Sequence, residues 1–139
     1  MPGIDLAFFN RLGFFMGVAF QIQDDLLPYR SSGEAAGKSS FSDLENGRVT
    51  LPFLVALATA APADRELLIK TQAMAAAGEQ VADIGQVAAI IGREEVLSRC
   101  AEFERREIEQ AASSLDRFNG GPGKLFLGDL IEVMAGRVA

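Results

Sequence analysis

Asp24 and Asp25 are neighbours in the stretch FQIQDDLL, which runs from Phe20 to Leu27 and follows the apolar residues Phe14, Phe15 and Val18. Two carboxylates ~4 Å apart repel by roughly 4 kcal/mol at an effective dielectric of about 20. Beside so much apolar surface, that repulsion must be relieved by solvent, by protonation or by a cation. Two readings therefore stand. The pair is the solvated end of a surface helix, or it meets a cation and a phosphate inside a cavity. Mg²⁺ suits the second reading, because it takes one or two carboxylates and fills its other positions with water and phosphate oxygens.

The rest of the composition narrows the chemistry. The chain has no histidine, which excludes His-based triads, His general bases and most zinc sites. A metal here must be held by oxygen, as hard cations prefer. Cys100 is the single cysteine. It rules out an internal disulfide and fits a reducing, cytoplasmic compartment; within a helical pattern it reads as a small core residue. Thirteen Lys and Arg against nineteen Asp and Glu give a net charge of −6. That balance argues against a nucleic-acid surface and against anionic lipid. The lysines are Lys38, Lys70 and Lys124, and Lys38 stands out because it falls in a polar stretch.

Helices must position these groups. The chain has one domain's length, and its 49% apolar content supports a core. Apolar residues recur with a 3.6-residue period and no strand pattern emerges, so the expected class is all-α with five or six helices. The first helix should start at Asp5 as N-cap and reach about Leu27. Pro28 should stop it, since proline cannot donate the bond that the Asp24 carbonyl would accept. The carboxylates would then sit on a frayed last turn. Residues 6–22 are apolar enough to consider a membrane span, but Asn10, Arg11 and Gln21 interrupt them, so a buried helix is expected. Asp5 precedes any positive charge, unlike a signal peptide.

Gly13, Gly17, Gln21, Asp24 and Pro28 form one stripe at three- and four-residue spacing, opposite Leu12, Phe15 and Val18. Such a stripe accepts a close helix or leaves room for a ligand. A loop from about Tyr29 to Val49 follows; at about 20 residues it is longer than structural connections usually are. Within it, FSDLENG should form a short helical turn, capped by Ser42 or Asp43 and ended by Gly47. Further helices are expected from Thr50, with Pro52 in the first turn, and then over Asp64–Ala76, Val81–Ile91, Glu94–Phe118 and Lys124–Arg137.

The order FQIQDDLL, then Gly37-Lys38, then SDLENGRVTLP from Ser42 to Pro52 resembles the second aspartate-rich region of the trans-type isoprenyl diphosphate synthases, the polyprenyl synthetases. Phe20, Gln21, Asp24, Asp25, Gly37, Lys38, Asp43, Gly47, Thr50 and Pro52 match that pattern. The resemblance implies the C-terminal part of an isoprenoid-synthase helical bundle, spread over residues 1–139. It implies a prenyltransferase that joins an allylic diphosphate to isopentenyl diphosphate with Mg²⁺. On that reading Asp24 is a Mg²⁺ ligand with Asp25 beside it, Lys38 contacts the diphosphate, and Phe20 and Gln21 line the isopentenyl pocket.

Three features depart from the pattern. Pro28 replaces its third aspartate, Arg48 replaces the lysine after Gly47, and the first aspartate-rich motif is absent. The chain thus carries half a site, and alone it is expected to be inactive. The alternative is a non-catalytic helical homologue that acts as a binding, regulatory or structural partner. The first helix is apolar nearly all round, from Phe8 and Phe9 to Phe20 and Ile22. Its uncovered side calls for a homo-oligomer or a complementary synthase chain.

Overall fold

The structure, a computed structural model, describes residues 6–30, 41–118 and 120–136. Among the described residues seven helices follow one another: α1 Leu6–Arg30, α2 Ser42–Glu45, α3 Leu51–Thr59, α4 Pro62–Ala76, α5 Ile84–Ile91, α6 Glu94–Asp116 and α7 Pro122–Gly136. No strand occurs among the described residues, so the all-α expectation holds. None of these helices is long and apolar enough to cross a membrane.

α1 departs from expectation at its end. It continues through Pro28 to Arg30. Proline removes one backbone donor, and near a C-terminus the lost bond costs less than it would mid-helix. Asp24 and Asp25 therefore lie within a formed helix, not on a frayed turn. α4 begins at Pro62, two residues before the expected Asp64, because proline suits the first helical position. α5 begins at Ile84 instead of Val81, and α7 at Pro122 instead of Lys124. Phe41, not Ser42 or Asp43, holds the N-cap position of α2. Asp5, the expected cap of α1, lies outside the described residues.

The chain divides into two compact units, one of residues 1–24 with 101–139 and one of residues 25–100. The core of the first unit is built at helical spacing. Leu12 and Ala19 of α1 meet Ile108, Ala111 and Leu115 of α6 and Ile131 and Met134 of α7. Phe8 stacks on Phe118, with ring centroids 5.0 Å apart. Buried Gln23 donates from Nε2 to the carbonyl of Met134 at 3.0 Å. That carbonyl lies in the last turn of α7, where no intrahelical donor remains.

In the second unit α3, α4 and α5 pack against one another, and α2 packs on α4 and α5. Leu44, Phe53, Leu68, Val87, Ile91 and Val96 are among the residues it buries. Glycines end two of its helices. Gly78 (φ +78°) closes α4 in a Schellman motif: Glu79 N–H donates to Met74 O, and Gly78 N–H to Ala75 O, each at 3.0 Å. Gly47 (φ +68°) follows α2, and its backbone presses on α4. A Cβ there would stand 2.5 Å from Ala76 Cα and closer still to Ala76 N. Gln72 Nε2 donates to the Gly47 carbonyl at 2.9 Å and fixes the contact.

Gly47→Ala should be strongly destabilising, since left-handed backbone alone costs about 1–3 kcal/mol in a non-glycine residue and the clash adds to it. Urea or thermal unfolding measures this; an unchanged midpoint would refute the contact.

Candidate functional site

In the first unit, the face of α1 opposite the core is open. Gly13, Gly17, Gln21 and Asp24 are all exposed, and Phe20 beside them retains 50% exposure. An atom added at Gly13 or Gly17 would meet nothing within 4 Å. These glycines therefore admit no close helix among the described residues. The stripe is instead a solvent-facing strip of α1 with polar groups at its lower end. Phe20, Gln21 and Asp24 share it because 100° steps return every three or four residues to the same side.

Asp25, one step further round, is half-buried in the second unit. Asp25, Pro28 and Tyr29 of α1, Asp43 of α2, and Phe41 and Thr50 line a narrow cavity of about 10 Å³. Tyr29 packs its ring against Phe41, centroids 5.9 Å apart. Burial pushes the Tyr29 phenol far above its ordinary value, and the carboxylates of Asp43 and then Asp25 push it further. It therefore stays a neutral hydrogen-bond donor. Thr50 sits at the N-cap of α3 with extended backbone and makes no side-chain capping bond.

Asp43 has a second partner. Arg48 donates from Nη1 to Asp43 Oδ1 at 3.4 Å, and Arg48 N–H donates to the Asp43 carbonyl at 2.8 Å. The ion pair is open to water, with the arginine side chain 71% exposed. Such pairs contribute about 0–1 kcal/mol, so Arg48 is free to serve another anion at little cost.

The donors around Asp25 are all oxygens, as a hard cation requires. The described residues contain no group of three or more His, Cys, Asp or Glu able to hold a metal by themselves. Of the residues named from sequence, Phe20, Gln21 and Asp24 share one open face, Asp25 is partly withdrawn, and Lys38 lies outside the described residues. Sequence reasoning did not name Tyr29 as a site residue. The signal was available in the i, i+4 spacing of Asp25 and Tyr29. A wider groove of about 1030 Å³ runs past Glu45, Asn46, Gly78 and Glu79, but its charged groups are both acidic and would repel a phosphate.

The polyprenyl synthetase family model matches residues 5–91, the stretch that holds α1 to α5 and every group just described. The chain belongs to the polyprenyl synthetase family. Heptaprenyl diphosphate synthase component 2 of Geobacillus stearothermophilus is 33% identical over 121 residues, covering 85% of this chain and 35% of the relative. All-trans-nonaprenyl-diphosphate synthase (geranyl-diphosphate specific) of Rhodobacter capsulatus is 31% identical over 107 residues, 77% and 32% of the two chains. Octaprenyl diphosphate synthase of Escherichia coli (strain K12) is 41% identical over 56 residues, 40% and 17%. This polyprenyl synthetase chain thus spans about a third of the length of the first two relatives.

The phenol gives a pH test. Its folded value lies above its unfolded value, so its contribution is complete below pH ~10 and is lost as pH rises beyond that. Unfolding stability should fall above pH ~10 in the wild type, and Tyr29→Phe should lack that part of the fall in parallel denaturant titrations.

Proposed function

We propose that this chain supplies the wall of a prenyltransferase site that joins an allylic diphosphate to isopentenyl diphosphate, and that it works with a complementary chain. The observation that carries the reading is the open face of α1, on which Phe20, Gln21 and Asp24 stand in the family's order with nothing packed over the glycines above them. Asp24, exposed on that face, would hold Mg²⁺, with Asp25 in support. Mg²⁺, when bound, offsets the charge that gathers on the departing diphosphate.

The chain's own residues would do the rest. Lys38 adds a cationic donor to the diphosphate. Gln21 orients isopentenyl diphosphate beside Phe20. The apolar upper part of the stripe excludes water from a carbocation. The need for a second chain follows from what α1 and α7 expose: Leu6, Phe9, Phe14 and Phe20 on the first, and Leu125, Phe126 and Val133 on the second. The name of the Geobacillus relative, a component 2, agrees with such a division.

Pro28 favours the alternative, a non-catalytic homologue that binds or regulates a synthase, because it removes one motif carboxylate. Ligand binding separates the two. Mg²⁺ with geranyl or farnesyl diphosphate at about 100 Kd should stabilise the chain by about 2.7 kcal/mol, a rise of several degrees in Tm. Asp24→Ala and Lys38→Ala should each abolish the rise. Condensation should appear when a chain carrying the first aspartate-rich motif is added. No shift at millimolar ligand, with no turnover in the mixture, would leave the non-catalytic reading.

The partner requirement has its own check. Light scattering should find self-association of the isolated chain, and a monodisperse monomer would count against it.

A further inference from the structure

We infer that the groove framed by the ends of α2 and α4 is a docking site for another protein, and that its occupant is an extended segment carrying arginine or lysine. The inference uses none of the residues assigned to the diphosphate end and stands apart from the prenyltransferase reading.

The groove lies wholly within the second unit. Three pieces of chain frame it: the end of α2, the end of α4, and the link that passes Gly78 and Glu79 into α5. Its volume of about 1030 Å³ stands at the top of the range of about 300–1,000 Å³ that small-molecule sites span. It takes several residues of chain, not a lone ion. Small residues give it depth, since Ala75 is buried and Gly78 has no side chain. The frame is held together: the Gly47 backbone presses on Ala76, and Gln72 Nε2 donates to the Gly47 carbonyl at 2.9 Å.

The polar groups it presents are mostly acceptors. Glu45 and Glu79 are exposed, and neither carboxylate has an ion-pair or hydrogen-bond partner among the described residues. Asn46 donates from Nδ2 to the Ser42 carbonyl at 2.7 Å, which leaves its Oδ1 to offer. The Ala76 carbonyl accepts from no described group, at a helix end that carries partial negative charge. Half-buried Val81 and Ile84 line the same space. A long cationic side chain matches both features. Its stem lies on apolar surface while its head, all donors and no acceptor, meets the oxygens.

Other occupants fit worse. An anion meets two carboxylates. A second copy brings a net charge of −6, and like charge opposes its approach. The described residues hold no group of three or more His, Cys, Asp or Glu for a metal.

The test is titration of the full chain, labelled with nitrogen-15, by a synthetic octapeptide of alternating arginine and alanine with both ends blocked. Amide chemical shifts are followed at low ionic strength. Shifts should concentrate at Glu45, Asn46 and residues 78–84, and added salt should weaken binding. A peptide with citrulline in place of arginine keeps the shape without the charge and should not bind. Glu45→Gln/Glu79→Gln should weaken the arginine peptide about tenfold, the scale of losing two exposed charge pairs. Glu109→Gln/Glu132→Gln removes the same charge from exposed sites on α6 and α7 and should leave affinity nearly unchanged. Ala82→Trp, at an exposed position lining the groove, should block the peptide. Circular dichroism should show wild-type helical content in every variant. Shifts spread over the whole surface, equal losses in the two double variants, binding of the citrulline peptide, or no binding at millimolar arginine peptide overturns the inference. None of these outcomes touches Mg²⁺-diphosphate binding, so the prenyltransferase reading stands or falls by its own measurement.

Discussion

A helix that advances 100° per residue spreads its side chains around the axis, so one core cannot cover them all. α1 is bound by that rule. Leu12, Ala19, Ile22, Gln23 and Leu26 are buried, and Phe15 and Met16 pack against the core that holds Leu12 and Ala19. Gly13, Gly17, Phe20, Gln21 and Asp24 are thereby turned to solvent. The adjacent aspartates differ in their surroundings: Asp24 is exposed, and Asp25 is half-buried beside Tyr29 and its neighbours. A motif that reads as a pair of equivalent acids becomes one exposed acid and one half-buried acid.

The buried side of α1 is held by more than apolar contact. Gln23 spends its amide on the last turn of α7 and keeps a buried carbonyl from being orphaned. Phe8 and Phe118 add stacked rings near the other end of the helix. With these contacts fixing its rotation, the open stripe has a definite direction. A glycine-rich stripe on a freely turning helix would offer no such wall.

In the second unit, positions are set by close approach. Gly47 lets its backbone touch α4, and this places Asp43 before it and Arg48 after it at defined points. Gly92 lies beside the Tyr29 ring. Exposed ion pairs such as Arg48 with Asp43 add little stability.

The sequence alone determined the helical class, the approximate places of the helices and the family, because these depend on local signals: apolar residues at a 3.6-residue period, glycine where φ is positive, proline at a first turn, and a linear motif. It pointed to Phe20, Gln21, Asp24 and Asp25 for the same reason. Where it erred, at Pro28, the local rule was outweighed: loss of one donor is a small cost in a helix whose C-terminal turn brings Tyr29 into a buried niche. The tertiary structure alone decided which aspartate faces water and which groups gather around the other. Asp25, Asp43 and Thr50 lie on separate segments, and no periodicity within a single segment records that packing between segments brings them to one cavity.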